Sequence, residues 1–190
     1  GDVESVRKLI GAIPGVTLVE MAHNKENSLC CGTILRETRP KVGDTLRQRV
    51  LDEAADTGAD VLATLCTGCH RYFSSRQNSY PFEIKNYVNI VAEAAGLTYR
   101  DKLKEYLLAG SVDKIIADAR ECIQASPFTP EEYRKYLPLY FDPFWRQPKP
   151  TPKHWCRSAA NSSRHEDILA CVGSSDTSDL GRPPAFSWTV

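Results

Sequence analysis

Apolar positions in the first hundred residues alternate between a helical and a strand period. Residues 3–10 set Val6, Leu9 and Ile10 at spacings that share one helical face. Ile13-Pro14-Gly15 is a turn signal, and VTLVEM at 16–21 predicts a strand. The polar run HNKENS then leads into Leu29-Cys30-Cys31-Gly32. Residues 45–55 (TLRQRVLDEAA) place Leu46, Val50, Leu51 and Ala54 on one face, which predicts an amphipathic helix closed by Thr57-Gly58. DVLATL at 60–65 predicts a short buried strand, and Cys66-Thr67-Gly68-Cys69 begins where it ends. Helix and strand in alternation predict an α/β layer with a parallel sheet. Such sheets carry their chemistry in loops beyond the strands' carboxyl ends, and both cysteine pairs follow predicted strands.

From 88 to about 140 the pattern is helical. VNIVAEAAGL stops at Gly96, YRDKLKEYLL and SVDKIIADARECIQ follow, and TPEEYRKYLPLYF opens with a capping signal at Thr129 and Pro130. These helices are expected to pack on the sheet or on a partner. From Arg146 the chain carries Pro148, Pro150 and Pro152, then a Ser-rich stretch and GRPPAFSWTV, without sustained periodicity. Little stable structure is expected there, and the shift in composition fits either a natural tail or an out-of-frame one. The expected organisation is an α/β half-domain over 1–97, a helical extension over 98–145 and a low-order tail over 146–190.

Charge narrows the class. With 24 Lys and Arg against 24 Asp and Glu, nothing points to nucleic acid or an anionic membrane. No apolar run approaches the roughly 20 residues of a transmembrane helix, and the start lacks a basic stretch followed by an apolar one. Seven cysteines without an export signal favour metal or redox chemistry over disulfides, and an odd total argues against full pairing.

One helix and one strand lie between the two cysteine pairs, a length that returns a chain to the same edge of a parallel sheet. Cys30 and Cys31 can therefore converge with Cys66 and Cys69, and four thiolates at one point suit a soft metal or an iron–sulfur cluster. Gly32 permits close backbone approach, and Gly68 leaves amides free to hydrogen-bond to sulfur. Zinc is the main alternative, although neighbouring cysteines such as Cys30 and Cys31 point apart unless the backbone kinks. Cys66-Thr67-Gly68-Cys69-His70 also has the C-x-x-C-H form of haem attachment, which would leave Cys30 and Cys31 unexplained. A thioredoxin-like pair needs no further cysteines.

NKENSLCCG, the interval after it and LCTGCHRYF resemble the cysteine-rich CCG domain of heterodisulfide reductase and of related iron–sulfur subunits of organic-acid oxidation. The resemblance covers about residues 3–97. It implies a Rossmann-like half-domain and an iron–sulfur cluster of the 4Fe-4S class, non-cubane in heterodisulfide reductase, with Cys30, Cys31, Cys66 and Cys69 as ligands. The family pattern includes an earlier cysteine, and none precedes Cys30 here. The chain therefore reads as a fragment truncated at its N-terminus.

What the resemblance implies is an electron-transfer subunit of an oxidoreductase. Its partners would be flavoprotein, ferredoxin-like or membrane subunits. It would lie in the cytoplasm, reaching the inner membrane only through those partners. No catalytic residue is expected beyond the cluster itself. A zinc-stapled interaction domain is the non-catalytic alternative. His70 is expected just outside the cluster, giving a hydrogen bond or facing solvent. Tyr72 and Phe73 are expected to pack over the site, and Arg71 to offset cluster charge. Cys122 is expected to be buried as a small apolar residue. Glu131 and Glu132 are read as first-turn helix charge.

Overall fold

The computed structural model describes residues 4–145 and 185–189. Helix α1 (Ser5–Gly11) leads to strand β1 (Thr17–Glu20), and α2 (Pro40–Asp56) to β2 (Val61–Thr64). Helix α3 (Thr67–Ser74) then leads to β3 (Glu83–Asn86), which runs directly into α4 (Tyr87–Ala94). Four more helices follow: α5 (Lys102–Ala109), α6 (Val112–Asp118), α7 (Arg120–Gln124) and α8 (Pro130–Trp145). The last described segment is strand β4 (Ala185–Thr189). The strands form one sheet in the order β1-β4-β2-β3, with every pair parallel. The expected α/β, Rossmann-like parallel arrangement is what the chain adopts.

Strand β2 shows why the sheet needs helices on both sides. All of its residues are buried, and side chains alternate between faces of a strand. Leu62 joins Met21, Val50, Leu51, Ala54, Phe73 and Ile84 beneath α2 and α3. Val61 and Ala63 join Ile10 and Ile90 beneath α1 and α4. Each large aliphatic side chain buried this way contributes about 1.5–3 kcal/mol.

Helix α2 departs from its expected start. It begins at Pro40 rather than residue 45, because proline at the first helical position lacks only an N–H that would be unpaired anyway. Val50, Leu51 and Ala54 are buried as expected, but Arg47 is buried too, while Leu46 is only half-buried.

The later helices pack on α3 as well as on one another. Tyr72 of α3, Leu107 of α5, Ile115 of α6, and Phe141 and Phe144 of α8 make a third apolar cluster. The capping signal before α8 is realised as a reciprocal box. The Thr129 N–H donates to Glu132 Oε2 at 2.7 Å, and the Glu132 N–H donates to Thr129 Oγ1 at 3.3 Å. Cys122 differs from expectation: α7 is a short helix that turns Ile123 inward and leaves the thiol exposed.

The sequence pattern predicts no regular element after Arg146, yet Ala185–Thr189 is a strand between β1 and β2. Thr17 pairs with Ala185, and Val61 with Phe186. This pairing joins segments far apart in the chain, so local periodicity carries no trace of it. Residues 146–184, including Cys156 and Cys171, lie outside the described residues.

Candidate metal centre

Both cysteine loops leave the carboxyl ends of strands. After β1 the chain closes with a hydrogen bond from Asn24 Nδ2 to the Met21 carbonyl at 2.7 Å, then makes a short 3-10 turn, Lys25–Asn27. Cys30-Cys31-Gly32 follows, and a second 3-10 turn, Thr33–Arg36, leads toward α2. Gly32 has φ 79°, a left-handed conformation that glycine adopts without steric cost. After β2, Cys66 sits at the N-cap of α3 with extended backbone, so Cys66 and Cys69 flank the first turn of that helix. The positive end of the helix dipole favours thiolate there.

The loops meet. The Cys69 thiol donates to the Cys31 sulfur at 3.0 Å, joining residues 38 positions apart. The hydrogen bond from Cys69, aided by Thr33, outweighs burial and holds the Cys31 thiol down to about 5. Cys69 moves the other way. Its hydrogen bond to Cys31, its burial and the neighbouring Cys31 and Cys66 charges all push its thiol up.

Thr33 ties the loops a second time. Its hydroxyl lies 3.2 Å from Cys31 Sγ and donates to the Gly68 carbonyl at 3.4 Å. No motif marks Thr33, and its one signal in the sequence is a hydroxyl placed just after the double cysteine.

Cys30 faces differently. It is exposed, and its sulfur accepts the Gly32 N–H at 3.4 Å within its own loop. Cys66 is also exposed. Among the described residues, no three His, Cys, Asp or Glu side chains stand in an arrangement that would hold a metal ion. The structure thus brings Cys31 and Cys69 together, sets Cys66 beside them and turns Cys30 outward. By chemistry the set fits a soft ion or an iron–sulfur group: sulfurs from both loops, two of them in contact, and an amide already bonded to sulfur at Cys30.

His70 is buried rather than solvent-facing. Its Nε2 lies 2.5 Å from Asp101 Oδ2, and its Nδ1 is buried without a hydrogen-bond partner. Phe73 packs in the core against which Cys31 and Cys69 rest, whereas Tyr72 faces the helical cluster. Arg71 donates to the Tyr140 hydroxyl at 2.9 Å. The partners Asp101 and Tyr140 come from segments that no motif marks.

The family described as "cysteine-rich domain" (CCG) matches residues 3–74. Over 102 residues the chain is 30% identical to a subunit of the dihydromethanophenazine:CoB–CoM heterodisulfide reductase of Methanosarcina barkeri, covering 52% of this chain and 25% of that one. The corresponding subunit of Methanosarcina acetivorans is 32% identical over 102 residues, with the same coverage. The chain thus spans about a quarter of the length of these relatives. No solved structure matches. No helix among the described residues is long and apolar enough to cross a membrane. Residues 3–74 are thus similar to the cysteine-rich domain of the CCG family, and over about half its length the chain is similar to this heterodisulfide reductase subunit.

Proposed function

We propose that the chain is an iron–sulfur-binding, electron-transferring part of a heterodisulfide reductase-like oxidoreductase, with Cys30, Cys31, Cys66 and Cys69 as ligands to a cluster of the 4Fe-4S class. The observation that carries this reading is the 3.0 Å contact between Cys31 and Cys69, which unites two loops from different strands. Cys66 neighbours Cys69, and Cys30 is exposed in the same loop as Cys31.

When bound, the cluster would supply one-electron chemistry, and the chain's residues would hold and tune it. The Gly32 amide, already on the Cys30 sulfur, is the kind of donor that sets a cluster's potential. Phe73 and the apolar residues around it keep one side of the site dry. The relatives' name specifies a CoB–CoM heterodisulfide, so the substrate class assigned to the whole assembly is an organic disulfide. Two electrons and two protons convert such a disulfide to two thiols. Those relatives are subunits, and partner subunits are the assigned source of electrons.

Anaerobic reconstitution with iron and sulfide, followed by metal and sulfide analysis, tests the reading. Iron and sulfide in near-equal amounts, with a paramagnetic signal in one redox state, are expected. Stoichiometric zinc without sulfide would establish the zinc-stapled alternative instead.

A further inference from the structure

We infer that the cavity framed by α5, α6, α7 and α8 is a binding site for an uncharged, flat, fused-ring aromatic molecule. Its volume is about 420 Å³, and Tyr106, Ile115, Cys122, Tyr136, Tyr140 and Phe141 are among the residues that line it. It is a cleft open to solvent along one side, where Cys122, Tyr136 and Tyr140 are exposed. It falls within the span of small-molecule sites, about 300–1,000 Å³.

The chemistry of the wall selects the ligand. No lining residue carries a charge. Three of the four lining tyrosines have hydroxyls engaged by groups outside the lining. Tyr106 donates to Asp118 at 2.8 Å, Tyr140 accepts from Arg71 at 2.9 Å, and Tyr133 shares a hydrogen bond with Ser126 at 2.8 Å. What remains toward the cavity is mainly ring and aliphatic surface. A charged ligand would lose hydration against this wall, where the nearest cations, Lys135 and Arg71, already lie over the Tyr136 and Tyr140 rings. A flat ring would instead extend edge-to-face packing already present. Phe141 meets Tyr106 at 83° with centroids 6.4 Å apart, and Tyr140 at 75° and 4.9 Å.

The site stands apart from the cysteine loops and does not depend on the function proposed for them. It touches α3 through the Arg71–Tyr140 hydrogen bond and through the apolar cluster in which Tyr72 packs with Ile115 and Phe141. The exposed Cys122 thiol on the wall is a built-in reporter of occupancy.

The test uses the full chain at neutral pH with 2-naphthol and the same-shaped anion 2-naphthoate, followed by ligand fluorescence. Alkylation of Cys122 by N-ethylmaleimide is read in parallel by peptide mass spectrometry. Saturable binding of 2-naphthol, at least about tenfold weaker binding of 2-naphthoate, and slowed alkylation of Cys122 are expected. Ala119→Trp, which fills the cavity, should abolish binding. Because a filled core can unfold, the wild-type alkylation rate is decisive by itself. Equal binding of the two probes, or alkylation of Cys122 at an unchanged rate under saturating 2-naphthol, overturns the proposal.

Discussion

Gly32 and Gly43 meet backbone to backbone, and this contact seats the double-cysteine loop on α2. A Cβ on Gly32 would stand 2.5 Å from the Gly43 carbonyl oxygen, and one on Gly43 would stand 2.9 Å from the Gly32 carbonyl oxygen. Neither clash can be relieved by a flexible side chain, since both partners are backbone.

Gly32→Ala therefore meets two penalties, a left-handed conformation and a backbone overlap. Together they are expected to cost about 2–4 kcal/mol. Gly43→Ala has only the overlap and should cost less. Gly11→Ala is the control, because nothing lies within 4 Å of its added Cβ. Denaturant unfolding gives the order directly. A Gly32→Ala midpoint equal to that of Gly11→Ala would show that the contact does not hold the loop.

The cysteines should not respond alike to serine substitution. Cys31 and Cys69 touch, so either change removes a sulfur from the shared centre. Reconstituted Cys31→Ser and Cys69→Ser are expected to retain less than about a tenth of wild-type iron and sulfide. Cys30 is exposed and turned to its own loop, so Cys30→Ser should lose the cluster through faster release, seen as a rising rate of iron transfer to a chelator. If Cys31→Ser holds a full complement of iron and sulfide, the ligand assignment fails.

Much of this site is legible from residue order. The double cysteine and the CxxC each follow a strand, and the parallel sheet brings their loops to one end. What is not legible has a common cause. Gly43 matters only because a distant glycine approaches it, and Arg47 occupies a position on the buried face of α2 that a hydropathy pattern assigns to solvent. Helix α3 is hidden because its first turn consists of the motif itself. Strand β3 reads EIKN, which is nearly polar throughout, and only its pairing with β2 makes it a strand. Asp101 and Tyr140 reach the site through tertiary packing of helices whose sequences contain no chemical motif.

Arg47 joins α2 to the end of α3. It lies 4.1 Å above the Tyr72 ring, donates to the Tyr72 carbonyl at 3.3 Å and to Ser75 Oγ at 3.2 Å, and pairs with Asp44 at 2.5 Å. Burial lowers its pKa to about 10. Asp44 also accepts the Tyr72 hydroxyl at 3.0 Å. Asp44→Ala strips both donors of that acceptor while leaving the arginine in place, at a cost of about 2–4 kcal/mol. Asp44→Asn keeps an acceptor and should cost less. Thermal unfolding of the two variants checks the order, and variants as stable as wild type would mean that the carboxylate adds nothing.

Asp101 gives a pH dependence with a definite sign. Burial opposes its ionisation, but the hydrogen bonds from His70 and from the Lys104 amide, with the His70 and Lys104 charges, hold the carboxyl below its ordinary range. A carboxylate depressed by folding stabilises the protein above the unfolded pKa of about 3.9. That stabilisation is lost as pH falls through the lower folded value. Asp101→Asn preserves the cap acceptor and removes the charge, so it should cost about 1 kcal/mol near neutrality after solvent screening. The difference from wild type should close below about pH 3.9. A gap that widens on acidification would reverse the sign and rule out this role.

Strand β4 is the only element joining β1 to β2 within the described sheet, since those two strands pair with it and not with each other. Ser187 stands opposite Val19 on one side and Leu62 on the other. Proline at that position removes a backbone donor, and a central strand flanked on both sides has no solvent-facing edge to accommodate the ring. Ser187→Pro should therefore release β4 and expose the facing edges of β1 and β2. Hydrogen exchange should quicken at residues 17–20 and 61–64, while β3 keeps its pairing with β2 and its protection. The two cysteine loops spring from the strands that β4 joins, so the variant should also bind iron less tightly on reconstitution. If exchange in β1 and β2 is unchanged, the strand contributes nothing to holding them, and their spacing must be set by α2 and the contact between the loops alone.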